Sequence, residues 1–401
     1  MKCVILAAGE GKRMHPLTYT RPKVMLPIAN KPMMEWNLLN AKKAGITDFL
    51  FVVHYKHEMV RSYFKDGSPW NTTISYVNQG SPLGTGHAIA AAEPFVDDFL
   101  VLSGDTIFGA DDIKHLMNSP MSMGLTQVED PSQYGVVETH NNKIKKIYEK
   151  TNEPPSNMIN AGIYHFNSSI FSYIKKIPKS PRGEYEITDA INMMATKKSI
   201  HGITIKQWRD VVYPWDLLDA NQEKLQKLPE KRQGTIEKHT TLKGPVSIGK
   251  DTIVMNGAYI EGPVIIGENC KIGPNCYIRP YTSIGNHCHI GNACEVKNSV
   301  IMDHSNVPHQ SYVGDSIIGS HCNLGSGTKI ANLRLDKKDI RLIHNGINRN
   351  TRRRKLGAIL GDNVQTGINA TINTGTIIGN NVFIGPGSIA QGALSSSSRV
   401  L

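Results

Sequence analysis

Residues 248–296 read IGKDTIVMNGAYIEGPVIIGENCKIGPNCYIRPYTSIGNHCHIGNACEV, and every sixth position is a β-branched aliphatic: Ile248, Val254, Ile260, Ile266, Ile272, Ile278, Ile284, Ile290 and Val296. A helix repeats its apolar face about every 3.6 residues and a half-buried strand every two, so neither generates a period of six. A triangular coil does. Three six-residue faces complete one turn, each aliphatic points inward, and successive turns stack as parallel sheets. The spacing returns at Ile318, Leu324 and Ile330, and again at Leu360, Ile372, Ile378 and Ile384, which makes residues 333–355 an inserted loop. Glycine follows the aliphatic at Gly249, Gly267, Gly273, Gly285, Gly291, Gly319, Gly325, Gly379 and Gly385, and is expected there to supply unusual backbone angles after each short strand.

Five cysteines obey the same register. Cys270, Cys276, Cys288, Cys294 and Cys322 each lie four residues after a repeat aliphatic. Partners such as Cys270 and Cys288 are therefore expected one above the other in neighbouring coils. CxxC spacing is absent, so small buried side chains are expected there, with neither zinc nor disulfides.

The repeat reads as broken between Val296 and Ile318, and breaks in a solenoid carry loops and chemistry. His309 lies in that stretch, with Tyr312 after it, Lys297 before it, and Asn323 and Asn332 beyond. A histidine suits the proton transfer that accompanies attack of an amine on a thioester. The hexapeptide repeat resembles the left-handed β-helix acyltransferases. The stretch VKNSVIMDHSNVPHQSYVGDSIIGSHCNLGSGTKIAN resembles the acetyltransferase half of the bifunctional N-acetylglucosamine-1-phosphate uridylyltransferase family in its archaeal form. That resemblance implies that Arg279, Lys297, Tyr312 and Asn323 bind an amino-sugar phosphate and that His309 is the base. It places Asn332 near the acetyl donor. Lys338, Arg341 and the run Arg352–Lys355 are the candidates for the phosphates of acetyl-CoA, although such a run is commonly a solvated loop. Leu333 stands where bacterial members carry tyrosine. The resemblance also implies a homotrimer with the acyl site between subunits.

Working towards the N-terminus, Lys2–Ala7 reads as a strand entering LAAGEGKRMHPLTYTRPKVMLP. A glycine-rich turn after a strand lays backbone N–H groups along phosphates, and Arg13 and Lys23 add positive charge. Arg13 occupies the place of the third glycine of a dinucleotide fingerprint, which argues against a nicotinamide site. The string resembles the sugar-phosphate nucleotidyltransferases. Their motifs recur in order over about 230 residues: Gln79, the LGTGHA turn with Gly84 and Thr85, FLVLSGDT ending near Asp105, then Gly135, Glu149, Asn160, Gly162 and Asp210. The resemblance implies that Leu6, Ala8, Gly9, Gly11, Arg13, Lys23, Gln79, Gly84 and Thr85 bind the nucleotide, with Arg13 and Lys23 also catalytic. It implies that Gly135, Glu149, Asn160 and Gly162 line a sugar pocket and that Asp105 and Asp210 hold Mg²⁺. The glycines at 84 and 86 are expected to admit a base closely.

The expected architecture is thus α/β: a Rossmann-like nucleotidyltransferase domain over residues 1–230 and a left-handed parallel β-helix over 231–401. The implied function is bifunctional, in UDP-N-acetylglucosamine biosynthesis: acetyl transfer from acetyl-CoA to glucosamine 1-phosphate or galactosamine 1-phosphate, and uridylyl or thymidylyl transfer from the NTP to a sugar 1-phosphate. The competing readings are a nucleotidyltransferase with a non-catalytic helix and a non-catalytic exchange-factor-like protein.

Bulk composition fits this. The 401 residues carry a formal charge of +11, which suits anionic substrates, while 7% aromatic residues give no stacking platform for nucleic acid. No apolar run approaches the ~20 residues of a membrane span, and the start has no signal-peptide pattern, so a cytoplasmic protein without membrane or nucleic-acid partners is expected.

Overall fold

The computed structural model describes every residue of the chain except Asn152. Packing divides it into two compact units: residues 1–10, 22–25 and 32–210 form one, and residues 11–21, 26–31 and 211–401 the other.

The first unit is built on a nine-stranded sheet. Its strands are β1 (Lys2–Ala7), β2 (Asp48–Val53), β3 (Thr73–Asn78), β4 (Asp98–Ser103), β6 (Ser122–Gln127), β7 (Gly135–His140), β8 (Lys143–Glu149), β9 (Met158–Asn167) and β10 (His201–Thr204), with β5 (Thr106–Phe108) and β11 (Trp208–Asp210) as a separate pair. The spatial order is β3-β2-β1-β4-β9-β6-β10-β8-β7. β1 runs parallel to both β2 and β4, while β9 is antiparallel to β4 and β6. KCVILA, DFLFVV and DFLVLS are nearly continuous apolar runs because both faces are covered. Val4, Leu50 and Val101 face a cluster with α3 (Thr85–Ala90) and α5 (Ile187–Ala195). Ile5, Phe49 and Leu102 face the opposite cluster with α1 (Met33–Lys43), α2 (His57–Phe64) and α4 (Ala110–Met117). The carboxyl ends of β1 and β4 therefore stand side by side, which is where open α/β sheets bind ligands.

In the second unit, three parallel sheets of short strands wind as one coil. Ile248 aligns with Ile266 and Ile284 on one face, Val254 with Ile272 and Ile290 on the next, and Ile260 with Ile278 and Val296 on the third. All nine are buried in a single core, as the period of six predicts. The cysteines stack as expected: the Cys288 N–H donates to Cys270 Sγ at 3.4 Å. The slot continues with Thr252 below and Ser305 and Cys322 above. Thr252 Oγ1 accepts from the Cys270 N–H at 2.9 Å and Ser305 Oγ from the Cys322 N–H at 3.0 Å. The slot thus requires a small side chain that accepts a backbone hydrogen bond.

Two expectations need correction. First, among the glycines that follow the aliphatics, only Gly273 has positive φ. A Cβ at Gly267 would lie 2.6 Å from the Gly285 carbonyl oxygen, and one at Gly325 2.5 Å from the Thr366 carbonyl oxygen. Close stacking of coil on coil selects those glycines; the left-handed corners are occupied by residues such as Asn269, His287, His304 and His321. Second, the coil is not broken between Val296 and Ile318. Ile284 pairs with Ile301 and Ile301 with Ile318, so these two turns have 17 residues where the turns before them have 18. One missing residue per turn hides the period without opening a loop, and His309 ends the regular strand Asn306–His309.

The insertion at 333–355 folds as a hairpin of Arg341–His344 and Ile347–Asn350. Its basic run is not wholly solvated: Arg353 Nη1 meets Asp219 Oδ1 at 2.6 Å on α6 (Asp216–Leu225), and Arg349 lies over the Tyr213 ring. No helix among the described residues is long and apolar enough to cross a membrane.

Candidate active sites

In the first unit the site begins where β1 ends. The Gly104 N–H donates to the Leu6 carbonyl at 2.9 Å, and a Cβ on Gly104 would come within 2.5 Å of that oxygen. The glycine therefore lets the turn before Asp105 close onto β1. Lys23, buried, donates from Nζ to Asp105 Oδ2 at 2.6 Å. Asp210 pairs with Thr106 across the β5–β11 ladder, which brings it beside the neighbouring Asp105. Lys23 and Asp105 thus meet directly, and the ladder sets the backbone of Asp210 one residue away from that of Asp105. Ala8 is buried and Gly9 exposed, and no atom stands within 4 Å of a Cβ built on Gly9. No packing need of the chain selects that glycine.

Gly11 (φ 74°) and Arg13 belong to the segment 11–21, which packs with the coiled unit. Arg13 is exposed. Around it the segment is held firmly: the His15 carbonyl oxygen meets His344 Nε2 at 3.1 Å and the Lys12 carbonyl accepts from Asn345 Nδ2 at 3.0 Å. Arg21 Nη2 pairs with the buried Asp362 carboxylate, which also accepts from Thr20 Oγ1 at 2.6 Å. Arg21 of the signature string thus serves the coil.

Gln79 is buried, and its Nε2 donates to the Gly84 carbonyl at 3.2 Å. Thr85 Oγ1 accepts from the Ile187 N–H at 3.2 Å. Gly84 and Gly86 have a packing reason beyond access for a base: a Cβ on either would be 2.8 Å from the Tyr185 carbonyl oxygen. The segment Gly183–Asp189, GEYEITD, covers this turn and escaped the sequence reading; its dense charge was the available signal.

The sugar-pocket residues gather nearby. Glu149 pairs with Gly135 at the end of the β7–β8 ladder. On β9 the register shifts between Asn160 and Tyr164, and Gly162 (φ 81°) makes the bulge, its N–H bonded to Asn160 Oδ1 at 3.0 Å. Trp208 Nε1 donates to the Ala161 carbonyl at 2.9 Å and ties the bulge to β11. Glu149 accepts from Thr188 Oγ1 and from Arg182 Nη2, both at 3.1 Å, and Arg182 also bridges to Glu186. Burial first, then the neighbouring Glu186, raises the Glu149 carboxyl above its ordinary value, against the opposing Arg182 and Thr188.

On the coil, Arg279, Lys297, Tyr312 and Asn332 come from successive turns of one sheet. Arg279 Nη1 meets Glu295 Oε1 at 2.8 Å. Lys297 Nζ lies 3.1 Å from Asp315 Oδ2, and Asn332 Nδ2 donates to both Tyr312 Oη (3.1 Å) and Asp315 Oδ2 (2.5 Å). Burial pushes the Tyr312 phenol up, so it stays protonated. Neither Glu295 nor Asp315 was singled out from sequence, because a lone acidic residue in a repeat carries no spacing signal. His309 and Asn323 stand on the adjacent sheet. His309 is exposed, and one corner, Gln310 (φ 47°) and Ser311, separates it from Tyr312. Lys338 and Arg341 lie on the insertion, where Arg341 Nε bonds Asn348 Oδ1 at 3.3 Å across the hairpin.

A nucleotidyl transferase family model matches residues 2–227, and a GMPPB C-terminal domain model matches residues 260–378. The bifunctional sugar-1-phosphate nucleotidylyltransferase/acetyltransferase of Sulfurisphaera tokodaii is 43% identical over 397 residues, covering 98% of this chain and 97% of that protein. The bifunctional protein GlmU of Methanocaldococcus jannaschii is 40% identical over 407 residues, 100% of this chain and 97% of that protein. Among solved structures, a putative glucose-1-phosphate thymidylyltransferase from Bacillus anthracis, in complex with sucrose, superposes with a TM-score of 0.52 at 31% identity, over 58% of this chain and 98% of that one.

Proposed function

The chain belongs to the bifunctional sugar-1-phosphate nucleotidylyltransferase/acetyltransferase family, and on that premise we propose how its residues divide the two reactions. The protein is an enzyme of UDP-N-acetylglucosamine biosynthesis. Its β-helix acetylates glucosamine 1-phosphate, and its nucleotidyltransferase half joins the sugar 1-phosphate to UMP, or to TMP, with release of pyrophosphate. The observation that carries this reading is the clustering of Lys297, Tyr312 and Asn332 around Asp315 on the coil, alongside the separate Lys23–Asp105 pair in the first unit.

In the acetyl transfer, Arg279 and Lys297 bind the sugar phosphate, the chemistry expected of a guanidinium and an ammonium against an anion. Tyr312 and Asn323 complete the acceptor site. His309 takes a proton from the amine as its nitrogen attacks the thioester carbonyl. The C–S bond then breaks, and the coenzyme leaves as a thiol with that proton. Asn332 stands at the acetyl end, and Lys338 and Arg341 meet the phosphates of acetyl-CoA. The subunits associate as a homotrimer in the cytoplasm.

In the nucleotidyl transfer, Gly9, Gly11, Arg13 and Lys23 cradle the triphosphate, with Leu6, Ala8, Gln79, Gly84 and Thr85 around the nucleotide. Gly135, Glu149, Asn160 and Gly162 hold the sugar. Asp105 and Asp210 would hold Mg²⁺: Asp105 is 41% exposed, Lys23 beside it shows that the place accepts positive charge, and Asp210 lies across the ladder from Thr106, the next residue. Bound there, the ion neutralises charge on the phosphates. Lys23 and Arg13 add to that neutralisation and orient the α-phosphate for in-line attack by a sugar phosphate that is already ionised.

The test is thiol release from acetyl-CoA with glucosamine 1-phosphate, galactosamine 1-phosphate in parallel and glucose 1-phosphate as control, with pyrophosphate release measured on the products. Thiol release confined to the amino sugars, followed by pyrophosphate formation with UTP or dTTP, is expected. Thiol release with glucose 1-phosphate as well would overturn the acceptor assignment.

A further inference from the structure

Asp315 has no role assigned from the sequence, yet it is the most enclosed charge in the acceptor cluster, its side chain only 4% exposed. Both of its oxygens are occupied. Oδ1 accepts from Asn298 Nδ2 at 2.7 Å, and Oδ2 accepts from Asn332 Nδ2 at 2.5 Å and from Lys297 Nζ at 3.1 Å. Its main chain is fixed as well, the N–H donating to the Lys297 carbonyl at 2.9 Å and the carbonyl accepting from the Gly357 N–H at 2.8 Å.

The backbone does not call for a carboxylate at this corner. The two preceding turns place Tyr281 and Asn298 at the same corner in the same left-handed conformation, φ 67° and 44° against 50° for Asp315. A buried charge is costly unless it is paired and fully hydrogen-bonded, so what distinguishes Asp315 is the set of partners it engages. Those partners are Lys297 of the acceptor site, Asn332 at the acetyl end and an asparagine from the turn before. Gly314 next to it has the same dependence: a Cβ there would stand 2.6 Å from Tyr312 Oη and 2.7 Å from Asn332 Nδ2, so glycine lets these side chains close over the backbone.

We propose that Asp315 is a positioning residue for acetyl transfer, which sets the orientation of the Asn332 carboxamide. A carboxylate only accepts hydrogen bonds. Asn332 must therefore turn its NH₂ towards Asp315 and Tyr312, and the other end of the planar amide, Oδ1, is what it presents to a ligand. An oxygen held that way accepts from an N–H, and the matching group is the amine of the sugar phosphate. Asp315 touches no substrate; it decides that Asn332 accepts. This inference rests on the reading of the Lys297 cluster as the acetyl-acceptor site.

The experiment is a double-mutant cycle in the full-length protein, with Asp315→Asn, Asn332→Ala and the double variant, measuring thiol release with glucosamine 1-phosphate; pyrophosphate release in the same preparations reports folding. An asparagine at 315 donates or accepts, so the Asn332 amide loses its fixed orientation. The expected result is a kcat lower by roughly 10- to 100-fold for Asp315→Asn, with a smaller change in KM, and no further loss when Asn332→Ala is already present. Losses that multiply in the double variant would show an independent structural effect and overturn the proposal, as would an unchanged kcat for Asp315→Asn beside an impaired Asn332→Ala. Parent activity in Asn332→Ala would reject the acceptor-site reading, and the inference with it. If Asp315→Asn loses both activities through misfolding, the cycle is run with Asp315→Glu, where the same absence of a further loss is expected and multiplying losses overturn the proposal.

Discussion

Two lysine–aspartate pairs, one in each unit, are built in opposite ways. In Lys23–Asp105 the lysine is enclosed at 7% exposure and the carboxylate is open at 41%. In Lys297–Asp315 the carboxylate is enclosed at 4% and the lysine is more open at 18%. The more exposed partner is the one an incoming ligand reaches first, so its charge favours a ligand of the opposite sign. An open carboxylate suits a cation; an ammonium more exposed than its carboxylate, one turn from Arg279, suits a phosphate. Similar distances of 2.6 and 3.1 Å thus belong to different chemistries.

The strongest challenge to this contrast is to remove one reaction and leave the other. His309→Ala should lower kcat for acetyl transfer by roughly 10²- to 10⁴-fold while pyrophosphate release stays at the parent rate. A matching fall in both activities would mean that the two units do not act separately. The converse change is Asp105→Asn, which keeps the shape of the open carboxylate and removes its charge. Pyrophosphate release should drop by roughly 10²- to 10³-fold, with a higher Mg²⁺ concentration needed for half-maximal rate and thiol release unaffected. An unchanged Mg²⁺ requirement would show that openness at Asp105 has nothing to do with a cation.

Lys297→Met sharpens the second half of the contrast. Loss of one charge-assisted hydrogen bond should raise KM for glucosamine 1-phosphate by roughly 10- to 100-fold, and the effect should weaken at high salt because the open lysine is screened. A kcat effect with KM unchanged would move Lys297 from phosphate binding to the chemistry.

Legibility in the sequence followed the same physical divide. The coil was readable because one small set of side chains repeats where stacking repeats, and Ile248 to Val296 all enter one core. Two turns with one residue fewer were enough to disguise Ile301, Val307 and Val313 as a break, because a fixed period cannot register a deletion. Lys23 and Asp105 came from motif strings, and the closure of the turn before Asp105 onto β1 brings them together. Asp315, Glu295 and Arg182 were not readable, since what matters about each is a neighbour one turn or one strand away. The role of Arg21 was unreadable for the same reason, since its partner Asp362 lies far along the chain.

The smallest effect concerns a titratable group that has no opposite charge to settle its state. His344, 2% exposed, stands edge-on to the rings of Tyr213 and Trp215, and its Nε2 meets the His15 carbonyl oxygen. Burial holds its pKa below the ordinary 6.5, with Arg349 and His15 adding to the shift and the His15 carbonyl opposing it. His289 is lowered in the same direction by burial, then by His309 and Lys271. The unfolded chain therefore binds more protons than the folded one as pH falls through 6.5, so stability rises with pH across that window and is lost below it. Thermal unfolding between pH 7.5 and 5 should show Tm falling, and His344→Gln should flatten the slope by less than the ~1 kcal/mol typical of a single substitution. A steeper slope in the variant would mean that His344 is charged in the fold, and then the carbonyl of His15, rather than the surrounding rings, governs the group that holds the insertion to the signature loop.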